Sequence, residues 1–79
     1  MKVCGIDPSR SSLAVSFVEG MNEFDYKEYK NSPQGFSQFI NDLNQLNPKP
    51  SICIEGYGDF AKQLTLHLKH HLYKVYEVN

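Results

Sequence analysis

Asp7 and Glu55 occupy matching places in the chain. Each closes an apolar run, Val3-Cys4-Gly5-Ile6 for the first and Ile52-Cys53-Ile54 for the second, and each is followed at once by a chain-breaker, Pro8 or Gly56. The plain reading is two unrelated acids: an Asp that forms a turn by bonding the backbone ahead of it, and a Glu that pairs with a lysine. A second chemistry opens if the two runs lie side by side and parallel. The carboxylates then meet at one sheet edge, where they repel unless a proton or cation sits between them. Hard oxygen ligands select Mg²⁺ or Mn²⁺, and such ions held by few carboxylates serve phosphoryl transfer. The carboxyl ends of parallel strands are also where open α/β sheets place their ligands.

Other side chains carry weaker signals. His67 and His71 have metal-ligand spacing, with His70 beside them, but nothing completes a zinc set and a solvated helix face is the better reading. Cys4 and Cys53 lie inside apolar runs without Cys-x-x-Cys spacing and read as reduced thiols. Ser9, Arg10 and Ser11 follow Asp7 and either contact a DNA phosphate or form the turn alone. Lys62, with Lys69 and Lys74, offers charge to phosphates, against the plainer reading of scattered surface lysines. Tyr57 has a ring that can stack on a base, the alternative being packing over the sheet edge.

The elements that must position these groups follow from periodicity. Residues 2–7 read as a first strand, and Leu13, Val15 and Phe17 alternate with Ala14, Ser16 and Val18 in a second. Glu19-Gly20-Met21-Asn22 is a turn, and Glu23 to Lys30 forms a third strand whose charges suit an edge. Ser32 caps a helix with Pro33 at its first position, and Phe36, Phe39, Ile40, Leu43 and Leu46 make its apolar stripe. Ser51 to Glu55 is a covered strand. Asp59 is a candidate cap for a helix from about Phe60 to His71, with Ala61, Leu64, Leu68 and Leu72 buried, before a last strand from Tyr73 to Val78. The order is βββαβαβ, an α/β fold with a three-stranded antiparallel meander, parallel strands and helices packed on a mixed five-stranded sheet. Alternation puts Cys53 on the face of Glu55 and Cys4 opposite Asp7, so if the carboxylates converge the thiols cannot, and no disulfide forms between them.

Composition sets the frame. Seventy-nine residues, 41% hydrophobic and 22% charged, hold one domain with a modest core. A net charge of −1 gives no bulk-electrostatic sign of a nucleic-acid binder; it weakens that reading without excluding it, because a catalytic domain can leave most phosphate contacts to another part of the protein. No apolar run approaches the roughly 20 residues that cross a bilayer, and no basic-then-apolar leader opens the chain. The expected location is cytoplasmic.

Four segments, in order, carry a resemblance. They are Gly5-Ile6-Asp7-Pro8-Ser9-Arg10, Ser32-Pro33-Gln34-Gly35-Phe36, Glu55-Gly56-Tyr57-Gly58 and the closing Val75-Tyr76-Glu77-Val78-Asn79. Together they resemble the N-terminal, RuvC-like catalytic domain of DEDD transposases, the insertion-sequence group that includes the Piv DNA invertase. The βββαβαβ order is that of the wider ribonuclease H-like nucleases. RuvC-type Holliday-junction resolvases open similarly, on Gly-Ile-Asp-Pro-Gly, and Pro8 is closer to them than to the transposases.

The resemblance spans nearly the whole chain and implies metal-dependent DNA strand cleavage and transfer. It makes Asp7 and Glu55 the catalytic metal ligands, Mg²⁺ or Mn²⁺ the cofactor and DNA the partner, with a guide RNA and a second copy of the chain as further partners left open. It implies no membrane. Tyr57 departs from the usual Thr of the transposases, and the family's third and fourth acids have no match, since Asp42, Asp59 and Glu77 lie in other elements. The expectation is therefore a single ribonuclease H-like domain over 1–79, an N-terminal piece inactive by itself. The nearest rival is a RuvC-like resolvase or related nuclease. An actin-like ATPase fragment would need a Gly-rich loop, which Pro8-Ser9-Arg10-Ser11 is not, and a non-catalytic binding remnant is the third alternative.

Overall fold

The computed structural model describes residues 2–56 and 59–78. Alternating apolar positions place β1 (Lys2–Pro8), β2 (Ser12–Glu19) and β3 (Asn22–Lys30) in an antiparallel meander. The β2–β3 turn uses Gly20 at φ 65°, a left-handed conformation that glycine adopts without a Cβ penalty. Then follow α1 (Pro33–Leu43), β4 (Ser51–Glu55), α2 (Asp59–His70) and β5 (Val75–Val78). The sheet order is β3-β2-β1-β4-β5, with β1–β4 and β4–β5 parallel. This is the expected mixed five-stranded α/β architecture, with β3 on an edge.

One face of the sheet forms the core. Cys4, Ile6, Leu13, Val15, Ile52 and Ile54 are buried together with Phe36, Phe39 and Leu43 of α1 and Ala61, Leu64 and Leu68 of α2. Burial of each large side chain contributes roughly 1.5–3 kcal/mol relative to exposure. The opposite face, with Val3, Gly5, Ala14, Ser16 and Cys53, is half-buried. Both thiols are free, Cys4 buried in the core and Cys53 on that other face, as the alternation requires.

The start of α1 is set by local chemistry. Ser32 accepts a hydrogen bond from the Gly35 amide at 3.2 Å, capping the helix, and Pro33 supplies a pre-set φ. Gly35 sits against the end of β3, where an added Cβ would collide with the Lys30 carbonyl. The Ser-Pro-x-Gly-Phe segment is thus a folding device that seats the helix on the sheet.

Several sequence expectations are corrected. The β1 strand extends one residue beyond Asp7, because Pro8 still pairs with Leu13 at the end of the ladder, where a missing N–H is tolerated. Leu46 lies beyond the end of α1 yet still packs on the core. Asp59 is the first residue of α2 rather than its cap. Leu72 is 82% exposed, not buried. The Tyr73 and Leu72 amides bond back to the Leu68 and Lys69 carbonyls at 3.0 Å each, with Leu72 at φ 66°. That is a Schellman closure, which turns Leu72 outward and inserts Tyr73 in its place. The last strand accordingly starts at Val75 rather than Tyr73.

Candidate functional site

Strands β1 and β4 pair in parallel register from Val3↔Ser51 to Ile6↔Ile54. Asp7 and Glu55 are the next residues on each strand. On the far sides, Asp7 pairs with Ala14 of β2 and Glu55 with Val78 of β5, so both backbones are held by a neighbour where β1 and β4 part. Gly56 then turns the chain at φ 83°, its amide bonding the Val78 carbonyl at 2.8 Å. Both carboxylate residues are exposed.

The two acids line one cleft of about 500 Å³ on the half-buried face of the sheet. Its floor follows the register: Tyr26, Ser16, Gly5 and Cys53 form one row across β3, β2, β1 and β4. Small side chains at Gly5, Ala14 and Ser16 leave the space open, and Tyr26 walls it on the β3 side. Partial desolvation raises the Tyr26 phenol above its ordinary range, helped by the charges of Glu28, Glu23 and Asp7. The Tyr26 hydroxyl donates one long bond, 3.4 Å to Glu28. The period-two phase of β3, with Tyr26 opposite Ser16, is the sequence signal for its place beside the acids.

Two hard carboxylates with open space above them suit one hard divalent cation. Among the described residues no group of three His, Cys, Asp or Glu side chains is placed to hold a metal. An ion here would keep most of its waters, which Mg²⁺ and Mn²⁺ tolerate.

The remaining candidates divide. Ser9 and Ser11 serve the β1–β2 turn: the Ser9 hydroxyl lies 3.0 Å from that of Ser12, and the Ser11 carbonyl accepts the Asn31 amide at 3.0 Å. Arg10 is exposed and lines a separate cleft with Asn31 and Phe60. Lys62 is exposed on α2 and lines neither cleft. Tyr57 lies outside the described residues. His67 is not simply solvated, since its ring packs against Phe36 with centroids 5.0 Å apart. No helix among the described residues is long and apolar enough to cross a membrane.

No family model matches the chain, and no curated protein matches it. Solved structures do. A structure of Thermus thermophilus RuvC superposes with a TM-score of 0.68 at 21% identity, covering 98% of this chain and 60% of that one. T. thermophilus RuvC in complex with Holliday junction substrate gives a TM-score of 0.70 at 17% identity, covering 99% of this chain and 64% of that one. The chain therefore has the ribonuclease H-like fold and spans less than two thirds of the RuvC chains it matches.

Proposed function

We propose that this domain is the metal-binding half of a RuvC-like nuclease that cuts DNA phosphodiesters, with Asp7 and Glu55 as the metal ligands. The observation that carries the reading is the placement of these two acids at the ends of adjacent parallel strands, one step beyond an in-register pair. The likeness to RuvC in fold supports it, and the neighbour bound to Holliday junction substrate supports branched DNA as the partner.

A bound Mg²⁺ or Mn²⁺ would supply an activated water and neutralise charge on the phosphate. Asp7 and Glu55 would hold the cation, and the pairing of each strand on its outer side holds their backbones in place. The small residues of the floor leave room beside it. With two acids the set is incomplete for two-metal chemistry, so the reading includes further ligands from outside residues 1–79.

The transposase reading stands second. It rests on the Ser32-Pro33-Gln34-Gly35-Phe36 and Glu55-Gly56-Tyr57-Gly58 segments, and the first of these has a folding role that accounts for it in any family. The resolvase reading is favoured by Pro8 and by the RuvC likeness.

The test is cleavage of a synthetic four-way junction and of linear duplex by the complete gene product, beside the 79-residue chain alone. The expected result is cleavage that needs Mg²⁺ or Mn²⁺, prefers the junction and disappears in Asp7→Ala and Glu55→Ala. Full activity of Asp7→Ala would return that residue to a turn-forming role. Strand joining rather than junction cutting would favour the transposase.

A further inference from the structure

The cleft beside Arg10 has a volume of about 350 Å³ and is separate from the acidic one. It lies at the same sheet edge, because α1 begins beside the β1–β2 turn and α2 begins after Glu55. Asn31 ties its walls together. Its Nδ2 donates to the Ser9 carbonyl at 2.7 Å and to the Phe60 carbonyl at 2.9 Å, joining the turn after Asp7 to the first turn of α2.

Its lining is of two kinds. Phe60 is half-exposed, and the partly exposed His67 ring packs at 5.0 Å on the buried Phe36, so the Phe60 and His67 rings bound the space. Arg10 makes no ion pair among the described residues, leaving its guanidinium free for an anion. Gln63 and Asp59 add an amide and an acceptor. Aromatic rings, a free guanidinium and a few polar groups in a space of this size suit a flat heterocycle joined to a phosphate.

We propose that this cleft receives one unpaired nucleotide of a DNA strand, its base against Phe60 and the His67 ring that Phe36 backs, and its phosphate on Arg10. Gln63 and Asp59 face the base edge. The proposal rests on the DNA-cutting reading of Asp7 and Glu55, and narrows the substrate to DNA that can offer an unstacked nucleotide beside the cut. Paired duplex keeps its bases stacked and cannot fill the cleft without the cost of opening.

The test titrates ¹⁵N-labelled chain, in EDTA, with a short single-stranded oligodeoxynucleotide and with a blunt-ended, GC-clamped duplex. Amide shifts are expected at Arg10, Asn31, Gln63 and His67 with the single strand and not with the duplex. Arg10→Ala and Phe60→Ala should each weaken binding roughly tenfold, while Lys2→Ala, at the far end of β1, leaves it unchanged and circular dichroism confirms folding. Equal response to the duplex, shifts confined to other surfaces, or undiminished binding by Phe60→Ala overturns the proposal. A separate Mn²⁺ titration reads the acids. Broadening at Asp7 and Glu55 with a silent cleft sinks the nucleotide site and leaves the metal reading standing. Shifts in the cleft without such broadening keep the nucleotide site and remove the nuclease reading beneath it.

Discussion

Asp7 and Glu55 stand one step past Ile6 and Ile54, the last in-register pair of two parallel strands. The relationship matters because the strands part at that point. Inside the ladder a side chain is fixed by both neighbours; at its end the carboxylate gains freedom while the backbone stays held by one. On the proposed metal-binding reading, that combination leaves both acids exposed and free to turn toward one ion.

Weak cation binding by the 79-residue chain follows. The dissociation constant for Mn²⁺ should be roughly millimolar, since a hard ion on two carboxylates keeps most of its waters. Asp7→Asn and Glu55→Gln should each weaken it further. Calorimetry or paramagnetic broadening checks this; broadening that spares both residues would count against a shared site.

Gly35→Ala should destabilise the fold by about 3 kcal/mol or more. In an ordinary helix the same change gains about 1 kcal/mol. The sign reverses here because the added methyl meets the Lys30 backbone, which has no room to yield. A urea midpoint that rises in Gly35→Ala would show that α1 is not pressed against β3.

The sheet was largely legible because its information is local. Alternation in β2, the apolar runs before Asp7 and Glu55 and the cap at Ser32 each depend on near neighbours. What escaped depends on residues far apart or on competition between local signals. Leu72 continues the apolar period of α2, yet the helix closes by bonds back to Leu68 and Lys69 and Tyr73 takes the buried place. The cleft beside Arg10 joins three separate segments through Asn31, which reads in the sequence only as a residue before a helix.

Stability should fall with rising alkaline pH. Burial, with a smaller contribution from the nearby Cys53, pushes the Cys4 thiol from 9.0 up to about 12. The native state therefore holds this proton more tightly than the unfolded chain. Its contribution is complete below pH 9 and is lost as pH climbs toward 12, on the order of a few kcal/mol in total. Burial also raises the phenols of Tyr29 and Tyr73, with Tyr29 further held by its 2.6 Å bond to Asp42, and both act in the same direction. Urea midpoints between about pH 8 and about pH 11 should decline less steeply in Cys4→Ala than in the parent. Identical slopes would remove the thiol from the account.

Leu72→Gly should stabilise the protein. Leu72 is held at φ 66°, a conformation that costs a residue with a Cβ roughly 1–2 kcal/mol. Its side chain is 82% exposed and recovers little of that cost through packing. The closing bonds from Leu72 and Tyr73 use backbone atoms alone and survive the change. Against the gain stands the greater freedom of glycine in the unfolded chain, roughly 0.5–1 kcal/mol. The balance favours glycine by up to about 1.5 kcal/mol, with a rise in Tm of about 4–8 °C for each kcal/mol in a domain of this size. Leu72→Ala provides the control, since it removes the exposed side chain and keeps the Cβ. If alanine stabilises as much as glycine, the gain comes from losing exposed apolar surface, and the left-handed closure of α2 carries no strain.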